Sequence, residues 1–252
     1  MTIVMQLLCA ACVALIVCSS PVLAQSTFDT CAAEGTAKRA DVQRLNRKKN
    51  RDGSPTDAQI NRAITFEVLL AANDTSTLFR EGDGAEIVAY VSDVKIGAVE
   101  TCNCGKKDHW YRDTHIELTL DPLNANDKTK ILVVEVTPRF RQAMKEKGID
   151  WSQRALRDAF LGRWVRVRGW VYYDALHDDE SANAAEPRNR VWRGSAWEIH
   201  PVTEITVVPR PSSPSPTPSE TTTAKRCTAS TTSGKRCSRT TTNSNQRCWQ
   251  HQ

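Results

Sequence analysis

The sequence predicts a mainly β domain with a few helices, a five-stranded barrel, on three observations. Strand-like runs recur through residues 85–208, one amphipathic helix interrupts them, and two further strands complete the series. The first run, "AEIVAYVSDV" from Ala85, is rich in residues that suit a pleated surface. The second, "THIELTL", alternates strictly, so Ile116, Leu118 and Leu120 share one face and His115, Glu117 and Thr119 the other. "KILVVEVT" is the third. "DWSQRALRDAFLG" then reads as a helix, with Asp150 or Ser152 as N-cap, Leu156 and Phe160 four apart, and Gly162 as a stop. "WVRVRGWVYYD" and "SAWEIHPVTEITVV" are strands four and five.

Three strands, a helix and two strands in that order describe an OB-type barrel, whose closure removes exposed sheet edges. Residues 25–84 precede it as a helical extension, in which "SPTDAQINRAITFEVLLAA" reads as one helix with Ser54 as possible cap. Residues 1–24 read as a secretory signal: an apolar run from Ile3 to Val17, shorter than the roughly 20 residues of a membrane span, leads to the small-residue end "VLA". Cys18 after "LIV" is a poor lipidation site. The expected location is therefore periplasmic or extracellular.

Export changes what the cysteines mean. Of nine, Cys9, Cys12 and Cys18 leave with the signal, and Cys31, Cys102, Cys104, Cys227, Cys237 and Cys248 remain. An even number in an oxidising compartment points first to disulfides and second to metal.

After Val208 the composition shifts. Residues 209–224, with Pro209, Pro211, Pro214, Pro216 and Pro218 among Ser and Thr, form an extended linker. Residues 225–252 form a basic tail without Asp or Glu, in which Lys225, Arg226, Lys235, Arg236, Arg239 and Arg247 carry +6 of the chain's +5 and leave −1 for everything before it. Attraction to a polyanion therefore belongs to the tail, and the barrel is nearly neutral. The tail has almost nothing apolar to bury, so a cross-link or an ion must order it. Cys227, Cys237, Cys248 and His251, separated by nine, ten and two residues, suit a tetrahedral zinc ion as a Cys3His site.

Inside the barrel three groups carry chemistry. Cys102, Cys104, His109 and His115 lie within one loop and the base of one strand, a second and weaker zinc set, for which a disulfide from Cys31 to one of the pair is the competing arrangement. Glu198 and His200 stand two apart on an outward face, as do His115 and Glu117, so the two pairs approach each other on strands that flank the third. That suits a metal-assisted hydrolase. Glu198 paired simply with an arginine is the plainer alternative. Finally, Trp164, Arg166, Arg168 and Trp170 alternate outward on strand four, with Arg188, Arg190 and Arg193 in the loop beyond, which is the composition of a stacking surface for single-stranded nucleic acid or carbohydrate.

"LNRKKNR", "ETCNCG", "RDTHIEL" and "WEIHPV" together resemble a group of exported bacterial proteins with an OB-like domain and no defined activity. The tail is similar to a short bacterial Cys/His module. No nucleophile motif, phosphate loop or H-E-x-x-H helix is present, which favours a binding protein for nucleic acid, carbohydrate or protein over a nuclease or phosphodiesterase.

Overall fold

The computed structural model describes residues 31–73, 76–184, 186 and 190–211. Strands β1 (Gly84–Ile96), β2 (Thr114–Thr119), β3 (Leu132–Val136), β4 (Trp164–Tyr173) and β5 (Trp197–Val207) close into a barrel in the order β1-β2-β3-β5-β4. Every neighbouring pair is antiparallel except β3 and β5, which run parallel with Val134 opposite Ile199. This is the five-stranded barrel that the strand order predicts.

Alternation builds the core. Ile87, Ala89, Val91, Ile116, Leu118, Leu132, Val134, Val165, Val167, Val171 and Ile199 all point inward and are buried. Two irregularities re-aim the strands. The register slips between Val91 and Asp93, so the inward residues change from odd to even positions at Val94. On β5 the inward positions pass from Trp197 and Ile199 to Val202 and Ile205 around the cis peptide His200–Pro201. Gly169 lies opposite that bend, and a Cβ on it would fall 2.3 Å from the Pro201 carbonyl oxygen, so only glycine lets β5 approach β4 there.

The helices surround the barrel. Ser152 caps α4 (Gln153–Phe160) as expected, accepting from the Ala155 amide, and Gly162 follows with φ +74°. The single helix expected from Ser54 is broken. Thr56 and Gln59 close a capping box on the short 3-10 turn Asp57–Gln59, Ile60 bridges to Gly84, and Thr65 caps a separate α2 (Phe66–Ala71). Two helices lie outside the runs read from the sequence. In α1 (Ala40–Lys49) the buried residues are Asn46 and Lys49, and α3 (Pro138–Glu146) starts from the Thr137 cap directly after β3. Among the described residues, no helix is long and apolar enough to cross a membrane.

Candidate functional site

One stretch of the outward face of β2, β3, β5 and β4 is not in water. Residues that alternate with the core, His115, Glu135, Glu198, His200 and Tyr172, lie under a cover made of α1 and the loop after β1. Side chains hold that cover down. Asn46 donates to the Glu34 carbonyl and to Thr101 Oγ1, Asn50 donates to the Ala33 and Cys102 carbonyls, and Lys49 Nζ meets Glu100 Oε2 at 2.6 Å. A Cys31–Cys104 disulfide ties the start of the described chain to the same loop.

Beneath the cover, opposite charges alternate along one chain of contacts. Arg193 in the β4–β5 loop is fully buried. It pairs with Glu198, meets Asp174 Oδ2 at 2.9 Å, and donates to the His177 carbonyl and Ser181 Oγ. Glu198 Oε2 lies 3.4 Å from His200 Nδ1, which in turn is 3.3 Å from Glu135 Oε2. Glu135 Oε1 is 2.9 Å from His115 Nε2, close as an ion pair but not aligned as a hydrogen bond. Asp113, at the end of the β1–β2 loop, accepts from Asn103 Nδ2 through Oδ2. Trp192 stacks on the His115 ring.

Burial and neighbours set the protonation. Burial disfavours the His115 imidazolium, but Glu135, Glu198 and Asp113 together outweigh that and hold its pKa up at about 9. His200 is raised in the same way against burial, by Glu135 and Glu198. Glu135 itself is driven below the usual carboxylate range, its own burial being overcome by His115 and His200. Burial pushes Asp113 up to about 6, with His200 opposing. Burial and the repulsion of Glu135 raise Glu198. Burial and Asp113 raise the Cys102 thiol well above its ordinary value.

Beside this chain a cavity of about 300 Å³ opens between α1 and the barrel. Arg47, Lys48 and Arg51 line it from α1 and the turn after it, Trp170, Tyr172 and His200 from β4 and β5, and Glu81 is the one acid among the residues that line it. His200 thus belongs both to the cavity wall and to the charge chain.

The structure gathers some of the expected residues and separates others. His115, Glu198 and His200 converge as the alternation predicted. Glu117 does not join them: its buried carboxylate is held by Lys95 and by Lys128 at 2.8 Å. The weaker zinc set needs correction, because Cys104 is in the disulfide, His109 is exposed, and Cys102 is left as a buried free thiol near Glu100 and Asp113. The strand-four surface is largely occupied by the protein itself. Arg168 is bound by Glu86 and Asp57, Arg166 lies 3.9 Å from Glu86, and Trp170 is buried, donating to the Gly53 carbonyl under the Arg51 guanidinium. Trp164 packs edge-on to Tyr90, Arg190 is exposed, and Arg193 belongs to the buried chain rather than to that surface. Arg188 and the tail residues Cys227, Cys237, Cys248 and His251 lie outside the described residues.

Asp113, Glu135, Lys49 and Asp174 were missed by the sequence reading. For Glu135 a signal exists: one acid inside the apolar run "ILVVEV" marks a strand covered on both faces, where a charge needs a partner. No family model, no curated protein and no solved structure matches the chain.

Proposed function

We propose that the chain is an exported binding protein whose barrel takes a small anionic ligand in the cavity between α1 and β4–β5. The observation that carries this is the lining: three cationic side chains and a raised histidine against one acid. The near-neutral charge of the domain argues for a small ligand over a long polyanion. Lys48 is engaged by Glu81, and Arg51 donates to the Gly82 carbonyl at 3.0 Å. Arg47 is the least committed, half exposed and 3.9 Å from Glu34.

Arg47→Ala is accordingly expected to weaken binding about tenfold, the scale of one charge-assisted contact of about 1.4 kcal/mol, without changing the unfolding midpoint. Calorimetric titration with inorganic phosphate, a sugar phosphate, a nucleoside monophosphate and a uronic acid checks it. No binding by any of the four sinks the cavity assignment. Turnover of a phosphoester in the same panel would instead favour the metal-dependent hydrolase, which the double membership of His200 in cavity and charge chain supports.

Export is supported by the leader-like first 24 residues and by the Cys31–Cys104 disulfide. The basic tail adds a second, electrostatic contact to a polyanion through its linker. Zinc bound by Cys227, Cys237, Cys248 and His251 would order it: a peptide of residues 225–252 is expected to take up about one zinc ion under reducing conditions and to gain dispersed amide signals. A peptide that stays unstructured with zinc removes that part of the proposal.

A further inference from the structure

The buried charge chain leaves atoms unclaimed. Among the described residues, Asp113 Oδ1, Glu135 Oε2 and His200 Nε2 are buried without a hydrogen-bond partner, and Tyr172 Oη beside them is the same. Each of the three ligand-type side chains has its other polar atom anchored. Asn103 holds Asp113 Oδ2 at 2.9 Å, His115 faces Glu135 Oε1 at 2.9 Å, and Glu198 faces His200 Nδ1 at 3.4 Å. One ligand atom from each of Asp113, Glu135 and His200 lies within 4.8 Å of the others. The residues come from the β1–β2 loop, β3 and β5, so closure of the barrel holds them in place.

Buried polar atoms without a hydrogen bond are costly even where, as for Glu135 Oε2 at 3.3 Å from His200 Nδ1, a charged neighbour is close, and a buried water supplies hydrogens but no charge. Two carboxylates that share a site with an imidazole ask for a cation. One imidazole nitrogen with two carboxylate oxygens suits manganese or zinc, whereas calcium takes oxygen ligands alone.

We propose that Asp113, Glu135 and His200 bind one divalent transition-metal ion, with Asn103, His115 and Glu198 as the outer partners that orient them. The site is independent of the anion cavity in every residue but His200. Its donor set also differs from that of the tail, whose thiolates select softer ions than manganese.

The purified protein, stripped with a chelator, is titrated with Mn²⁺ and followed by the electron paramagnetic resonance of the free ion, and separately with Co²⁺ by visible absorption. The expected result is one Mn²⁺ per chain, and uptake of Co²⁺ at a nitrogen- and oxygen-ligated site in addition to any thiolate-to-cobalt band that the tail cysteines contribute. Asp113→Asn, which keeps size and shape, and His200→Gln, which stays close in size, should each weaken Mn²⁺ binding by more than the roughly 10–100-fold that loss of an outer partner costs. Circular dichroism checks that both variants fold, and Arg47→Ala should bind Mn²⁺ as wild type does. On wild-type protein, a histidine nitrogen coupling to bound Mn²⁺ should be seen by pulsed resonance, which does not depend on any variant folding. Folded wild-type protein that takes up no Mn²⁺ at millimolar concentration overturns the proposal. So does Mn²⁺ binding that both variants retain unchanged.

Discussion

Glu135→Ala is expected to destabilise the barrel by about 3–5 kcal/mol, because it removes one partner of a buried ion pair and leaves His115 without its nearest counter-charge. Glu135 is 2% exposed and faces two imidazoles, His115 at 2.9 Å and His200 at 3.3 Å, both of which it holds above their ordinary pKa. For a domain of this size each kcal/mol moves the unfolding midpoint by about 2–4 °C, so a fall of about 10 °C is expected in thermal unfolding at neutral pH. Adding His115→Gln should recover part of the loss, since one unpaired charge is then gone. A fall within about 1 °C would show that the carboxylate does not compensate these imidazoles.

The same pair fixes the sign of a pH effect. His115 has a folded pKa of about 9 against an ordinary 6.5, so its pairing contributes fully below pH 6.5 and is lost as pH rises through about 9. Wild-type stability measured by urea unfolding should decline over that window. The Glu135→Ala variant should show a smaller decline.

Reduction of the Cys31–Cys104 disulfide is expected to cost about 4 kcal/mol by loop-closure entropy, since it joins residues 73 apart in sequence. It also frees the start of the cover that lies over the charge chain. Urea unfolding with and without reductant measures this, best in a Cys102→Ala background so that no neighbouring thiol can exchange with the bridge. A difference under about 1 kcal/mol would mean that the cover is held by Asn46, Lys49 and Asn50 alone.

The barrel was legible in the sequence because its signal is local: alternation in "THIELTL", the Ser152 cap and the Gly162 stop each act within a few residues. Half the charge chain was legible for the same reason, since period two places His115, Glu198 and His200 on outward faces. What could not be read was that this outward face is covered. The cover is α1, whose buried residues are asparagine and lysine, so no apolar stripe announces it. Glu117 shows the limit of period-two reasoning. It shares a face with His115, yet Lys95 and Lys128 claim its carboxylate. Parity assigns a side to a side chain, and only the neighbours decide what it meets.

The parallel contact between β3 and β5 has a kinetic consequence. Glu135 belongs to one strand and Glu198 and His200 to the other, with α3, α4, β4 and a long loop between them in the chain. Such a contact is slow to form, because the entropy of closing the intervening chain is lost before the contact stabilises anything. While the barrel is still open these acids and histidines each face water, at their ordinary pKa values. The charge pattern is therefore created by the act of closure. An unfolded or half-folded chain offers neither the cavity floor at His200 nor the carboxylates beside it, and any ligand that needs them reports on the finished barrel alone.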